Sequence, residues 1–365
     1  MNTKSAWTLK AQEQPLIIAG PCSAETEAQV LATAHQLKDT GVNIFRAGIW
    51  KPRTRPGSFE GIGRPALAWL QRVQAETGLR VATEVANTKH VEQGLQHGID
   101  VLWIGARTTA NPFAVQEIAD ALKGTAIPVL VKNPVNPDVN LWLGAIERLE
   151  KAGIKQVGAI HRGISPLGKS VYRNNPEWNM PITLKKLRPD LLLINDPSHI
   201  AGNRQLLAGI AETALALHMD GLMIETHLQP EAAWSDAHQQ ITPQALRELL
   251  AKLSGRPLAS GTRSTTDLND MRHSIDYIDE QLIDLLSYRM QVATEIGNYK
   301  MQHGLAVFQQ ERWAELLEKH TSLALSKNLN EEFITQLFDR IHQESVRRQH
   351  GVLPLIPVRA VAVGQ

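Results

Sequence analysis

Apolar residues follow two rhythms along this chain, and the change falls near residue 254. Up to that point short, nearly continuous apolar runs alternate with longer amphipathic segments. The runs Leu16–Ser23, Asn43–Trp50, Arg80–Val85, Val101–Arg107, Pro128–Asn133, Gln156–Gly163, Leu191–Pro197 and Gly221–Leu228 read as strands. Continuous rather than alternating apolarity marks parallel strands buried on both faces. Between them, Glu25–Thr40, Pro65–Thr77, Pro112–Lys123, Val139–Ala152 and Arg204–His218 carry helical spacing. Strand then helix, repeated over about 240 residues, predicts an α/β fold of the (β/α)8 barrel type. We place it at 15–253, after a polar tail at 1–14. A doubly wound open sheet is the alternative, but the glycine-rich dinucleotide fingerprint is missing after the first strand.

The stretch LSGRPLASGTRSTT makes residues 254–266 a linker. Beyond it, 267–350 reads as an all-α unit of three helices. Asp267–His303 forms one long helix whose apolar positions Ile275, Ile278, Leu282, Leu285, Val292 and Ile296 keep mostly three- and four-residue steps. Gly304 ends it. A shorter helix follows from Gln309 to Thr321, and Asn330-Glu331-Glu332 caps a third that runs to Gln349. Two shorter helices cannot cover so long an apolar stripe, so a homodimer through this unit is expected. The tail 351–365 is apolar but interrupted by proline, and no element is assigned to it.

Composition narrows the class without changing the fold. The formal charge is +1, with 43% hydrophobic and 21% charged residues. That balance speaks against a nucleic-acid or membrane partner and leaves small molecules as substrates. No apolar run approaches the ~18 residues of a membrane span and the N-terminus has no signal-like core, so a cytoplasmic location is expected. The single cysteine, Cys22, excludes an internal disulfide. It leaves a buried hydrophobe, a nucleophile or a metal ligand.

Barrel chemistry gathers at the C-terminal ends of strands, and nearly every predicted strand here ends in an ionisable group. Arg46, Lys51, Arg107, Lys132 and Arg162 make a set of cations suited to a small substrate bearing phosphate and carboxylate. Cys22, His199, Glu225 and Asp236 come from the first, seventh and eighth strands and the loop beyond, which closure brings together. One sulfur, one nitrogen and two oxygen donors suit a borderline divalent ion such as Mn, Zn, Fe or Co.

The ordered motifs GPCS, KPRT, IGART, VKN, HRG, NDPSH and IETH resemble the barrel-only class of 3-deoxy-D-arabino-heptulosonate 7-phosphate (DAHP) synthases over Pro15–Leu253. The resemblance implies condensation of phosphoenolpyruvate with erythrose 4-phosphate on one divalent metal ion. Cys22, His199, Glu225 and Asp236 would be its ligands, and the five cations the phosphoenolpyruvate site. It further implies that Arg53 and Thr54 take the sugar phosphate and that Asp196 reaches a sugar hydroxyl. Arg55 has no motif counterpart and reads as a solvated charge. Glu84 and Lys132 are the candidate proton handlers. The closest competitor, the synthase that uses arabinose 5-phosphate, shares the barrel but has an Asn-Arg-type run in place of Lys51–Thr54. Two departures are AGIW before KPRT, where GGAF is common, and no substantial N-terminal regulatory domain, which leaves feedback control to the C-terminal part.

On the helices the polar exceptions are Arg272, Arg289, Lys300, Arg312, Ser345 and Gln349. At ~1.5 Å per residue, Arg289 and Lys300 lie about 16 Å apart on nearly one face and bracket a small dianion, while Arg272 lies about 42 Å from Lys300 and joins only from a partner chain. The runs LNDMRHSIDYIDEQLIDLLSYRM, IGNYK and QESVRRQ resemble the all-helical chorismate mutases. The resemblance implies that these six residues bind chorismate or prephenate, with Lys300 and Gln349 stabilising charge on the ether oxygen. Gln309 and Trp313 stand where family members often have Asp and Glu. A second reading therefore makes this unit a dimerising sensor that inhibits the barrel with negligible mutase activity.

Overall fold

The computed structural model describes residues 14–51, 57–166, 170–254, 265–306 and 310–351, but not the side chains of 254, 265–274, 276–278, 280, 281, 310 and 350. Two compact units divide the chain, Met1–Ala259 and Ser260–Gln365. In the first, eight parallel strands close into a barrel in sequence order. They are β1 (Leu16–Gly20), β2 (Ile44–Arg46), β3 (Arg80–Val85), β4 (Val101–Ile104), β5 (Val129–Lys132), β6 (Val157–His161), β7 (Leu192–Asn195) and β8 (Gly221–Glu225). Around them run α1 (Glu27–Leu37), α2 (Pro65–Thr77), α3 (Thr88–Gln96), α4 (Ala106–Thr109), α5 (Pro112–Leu122), α6 (Val139–Lys151), α7 (Asn179–Leu187), α8 (Pro197–Ala201), α9 (Arg204–Ala216) and α10 (Pro243–Ser254). Ile18 of β1 pairs with Ile44 of β2 on one side and Met223 of β8 on the other, which closes the ring.

The strands begin within one residue of the apolar runs, and all but β3 stop earlier. β1 ends at Gly20 rather than Ser23, β2 at Arg46 rather than Trp50, and β8 at Glu225 rather than Leu228. Ile49 is fully buried yet lies beyond the strand, so apolarity there reports burial and not strand pairing. Helices α3, α7 and α10 were not evident from spacing. In α3 only Val91 and Gly94 are buried, too few to make a periodic stripe.

Strand parity builds the site. Ile44, Ala82, Leu130, Ile194 and Met223 belong to the inner core of the barrel. Two residues further on, at the end of each of these strands or, for Asp196, one residue past it, come Arg46, Glu84, Lys132, Asp196 and Glu225. One layer of apolar side chains is thus roofed by one layer of charged ones. Gly20 permits the strands to close at this rim: a Cβ there would stand 2.1 Å from the Arg46 carbonyl oxygen.

The second unit contains α11 (Thr265–Gln302), α12 (Gln310–Ser326) and α13 (Glu331–Gly351). Its middle helix extends beyond Thr321 to Ser326. Both α11 and α12 pack on α13. At Gly297 the helices come close, since a Cβ there would lie 2.9 Å from the Gln349 Cα. Along α11, Leu282, Ile283, Leu285 and Tyr288 are more than half exposed. Among the described residues no helix is long and apolar enough to cross a membrane.

Candidate active sites

Trp103, fully buried inside the barrel, is the floor on which the cations stand. The Arg46 guanidinium lies 4.9 Å above its ring and the Lys132 ammonium 5.9 Å away, an arrangement the ring's negative face favours. The Trp103 indole N–H donates to Glu84 at 2.9 Å. Gly105 leaves room for that carboxylate, because a Cβ there would stand 2.2 Å from Glu84 Oε1. The Lys132 ammonium is 2.8 Å from Asp196. Arg162 donates to the Asn174 side chain at 2.7 Å. Burial, with the charges of Arg173 and Arg107, lowers the Arg162 pKa to about 10 against the pull of Asp196. Arg162 remains charged at neutrality, and among the described residues its side chain donates to Asn174 and the Gly163 carbonyl rather than to a carboxylate. Arg107 is exposed on α4.

Three of the predicted metal donors meet directly. Cys22 Sγ, a Glu225 oxygen and an Asp236 oxygen all lie within 4.8 Å of one another. The Cys22 thiol donates to Asp236 Oδ2 at 3.1 Å. His199 stands beside this group, with Nε2 3.7 Å from Glu225 Oε1. Glu225 Oε1 is buried without a hydrogen bond, although Arg46 lies 3.2 Å away as a charge partner. Burial pushes the Glu225 carboxyl up, but His199 and Arg46 outweigh it and hold the group ionised. Burial, with Glu225, raises the Cys22 thiol to about 12. A buried carboxylate oxygen beside a thiol, a second carboxylate and an imidazole is a donor set that fits a borderline divalent cation.

Other predicted residues fall differently. Lys51 is half-buried with its ammonium 3.0 Å from Cys22 Sγ, so it faces the thiol as well as the cation set. Asp196 is fully buried. One oxygen meets both Lys132 and His199 Nδ1, each at 2.8 Å, and the other accepts from the His199 backbone N–H at 3.1 Å. Its carboxylate thus already has three partners besides any sugar hydroxyl. Arg53, Thr54 and Arg55 lie outside the described residues. Trp103, Arg173, Asn174 and Gln239 were missed. Trp103 was legible by parity, two positions after inward-facing Val101, whereas the other three lie outside the strands and longer helices, in segments that have no periodicity.

In the helical unit Arg289 donates to Ser345, and Ser345 and Gln349 are buried on α13. The buried Gln349 Oε1 has no hydrogen-bond partner among the described residues. Burial lowers the His342 pKa, and the charges of Arg289 and Lys300 lower it further against the pull of Asp339. Arg312 turns outward to Glu315 at 2.9 Å. Trp313 stacks on His342 with ring centres 4.0 Å apart. The side chain of Arg272, and Gln309 altogether, lie outside the described residues.

Residues 4–256 match the model of the DAHP synthetase I family. The chain belongs to that family. Its helical unit matches chorismate mutase type II over residues 271–350, so the enzyme joins a DAHP synthase barrel to a chorismate mutase unit. The phospho-2-dehydro-3-deoxyheptonate aldolase of Thermotoga maritima is 30% identical over 247 residues, which covers 68% of this chain and 71% of that protein. The crystal structure of the Thermotoga maritima DAHP synthase superposes with a TM-score of 0.60 at 30% identity, covering 66% of this chain and 68% of that one. The 2-dehydro-3-deoxyphosphooctonate aldolase of Wolinella succinogenes is 25% identical over 261 residues, 65% of this chain and 97% of that protein.

Proposed function

We propose that the synthase barrel condenses phosphoenolpyruvate with erythrose 4-phosphate and water, giving DAHP and phosphate, with one divalent ion on Cys22, His199, Glu225 and Asp236. The observation that carries this reading is the double engagement of Arg46. Its guanidinium stands over Trp103 among the cations and also touches the donor Glu225. Phosphoenolpyruvate anchored there presents its enol carbon beside the donor cluster. Arg46, Lys132, Arg162, Arg107 and Lys51 hold its phosphate and carboxylate, with Arg53, Thr54 and Asp196 left for the sugar. The bound ion supplies Lewis acidity towards the aldehyde. As the enol carbon attacks, positive charge develops at the neighbouring carbon. Water quenches it, and phosphate departs among the same cations. Glu84, held by the Trp103 indole, and Lys132, held by Asp196, handle the protons.

The test is a two-substrate assay of the full chain after chelation and metal replacement. Phosphate release is expected with erythrose 4-phosphate and not with arabinose 5-phosphate, and only with metal restored. Release with arabinose 5-phosphate alone contradicts the assignment.

For the helical unit we propose conversion of chorismate to prephenate, with Arg289, Lys300, Arg312, Ser345 and Gln349 from one chain and Arg272 from a second. The exposed apolar stripe of α11 supports such a homodimer. The rearrangement is unimolecular, so oriented donors suffice; Lys300 and Gln349 stabilise the developing negative charge. Trp313 on His342 and Arg312 on Glu315 favour the second reading, a product sensor that restrains the barrel. Turnover of chorismate by wild-type chain but not by Arg289→Ala supports catalysis, and feedback without turnover supports the sensor.

A further inference from the structure

Each donor carboxylate of the barrel has one oxygen turned towards the other donors and one turned away. Asp236 Oδ2 meets the Cys22 thiol, and Glu225 Oε1 lies 3.7 Å from His199. The outward oxygens are held by two residues with no part in the reaction described above. Arg173 is 2.9 Å from Asp236 Oδ1 and donates to the Gln239 side-chain oxygen at 2.5 Å. The Gln239 amide donates in turn to Glu225 Oε2 at 2.6 Å. One guanidinium and one amide therefore span both carboxylates.

We propose that Arg173 and Gln239 are positioning residues: they fix the outward oxygens so that Asp236 Oδ2 and Glu225 Oε1 converge with Cys22 and His199 on one divalent cation. The proposal rests on the metal reading above and deepens it.

The surrounding backbone is built to hold the pair. Gln239 is buried, and its amide orientation is set at both ends by charge, a carboxylate at nitrogen and a guanidinium at oxygen. Asp236 has a left-handed backbone, φ 51°, which starts the single helical turn Ala237–Gln239. An aspartate tolerates that conformation better than most residues. Arg173 is strapped to the helix that bears His199: its N–H donates to the Ala201 carbonyl at 3.3 Å, and the Asn174 side chain donates to the His199 carbonyl at 2.6 Å. Gly202 makes the strap possible, since a Cβ there would stand 2.4 Å from the Arg173 Cβ. One segment thus registers three of the four donors.

Electrostatics alone and positioning predict opposite outcomes. A guanidinium beside a cation site repels the cation, so its removal should tighten binding if charge were all that mattered. If Arg173 aligns the donors, its removal weakens binding. Cobalt(II) affinity of the full chain, measured by chelator competition, separates the two, and the cobalt–thiolate absorption reports whether Cys22 still ligates. Arg173→Gln and Gln239→Met are expected to lose about 10–100-fold in affinity and to weaken that band, as loss of a ligand's hydrogen-bonding partner does at metal sites. Arg173→Lys should recover part of the loss. The metal-free thermal midpoint should hold, because the Arg173–Asp236 pair is partly exposed. Unchanged or tighter binding in Arg173→Gln overturns the proposal. So does a loss that only follows a lowered metal-free midpoint. A wild type that takes up no cobalt overturns the donor set itself, and the positioning role with it.

Discussion

The Lys132 ammonium and the Asp196 carboxylate lie 2.8 Å apart inside the barrel, 4% and 0% exposed. Burial raises the Asp196 carboxyl, but His199 and Lys132 overcome it and hold the group well below the usual carboxylate range. A pair this deep adds little stability by forming, yet breaking it leaves a buried charge alone. Asp196→Asn should therefore lower barrel stability by about 3 kcal/mol in denaturant titrations. Adding Lys132→Met should return part of the loss, because the stranded charge is gone.

His161 gives the barrel a dependence on acid. Burial lowers its pKa from 6.5 to about 3, and Asn195 sits 3.0 Å from Nδ1 as a donor to the neutral ring. The unfolded chain takes up this proton near pH 6.5 and the folded chain does not. The contribution is thus fully present above pH 6.5 and is lost as pH falls towards 3. Stability should decline by about 1.4 kcal/mol per pH unit from this group alone. His161→Gln should remove that slope between pH 6 and 4.5 in urea titrations; an unaltered slope would assign it to other groups.

In the helical unit, Gly297→Ala opposes propensity and packing. Alanine favours a helix by about 1 kcal/mol over glycine. Here its Cβ would stand 2.9 Å from the Gln349 Cα, and overpacking costs about 1–3 kcal/mol. The variant should melt earlier by circular dichroism and lose chorismate turnover, because Gln349 shifts with α13.

Glu84 should matter to rate rather than to fold. Glu84→Gln keeps an acceptor for the Trp103 indole but cannot accept a proton. Turnover should fall and the pH–rate profile flatten, with the melting temperature preserved. Unchanged turnover removes Glu84 from proton handling.

The barrel was legible because parallel strands buried on both faces leave long apolar runs, and its charged rim because nearly every run ended in an ionisable side chain. Strand ends were less legible, since Ile49 is as buried as the ladder residues without belonging to a strand. Cys22, Glu225 and Asp236 were found by donor chemistry, and the barrel brings them together. Arg173 and Gln239 carry no such signal: each is an ordinary loop residue until the chain folds and lays one across the other.

The central claim is that two separate sites in one chain run two reactions. Phosphate release and chorismate consumption should be measured side by side in Lys132→Met and Arg289→Ala. A crossed result is expected: Lys132→Met loses phosphate release and keeps chorismate turnover, and Arg289→Ala does the reverse. Loss of both reactions in either variant, with its fold intact, would contradict it.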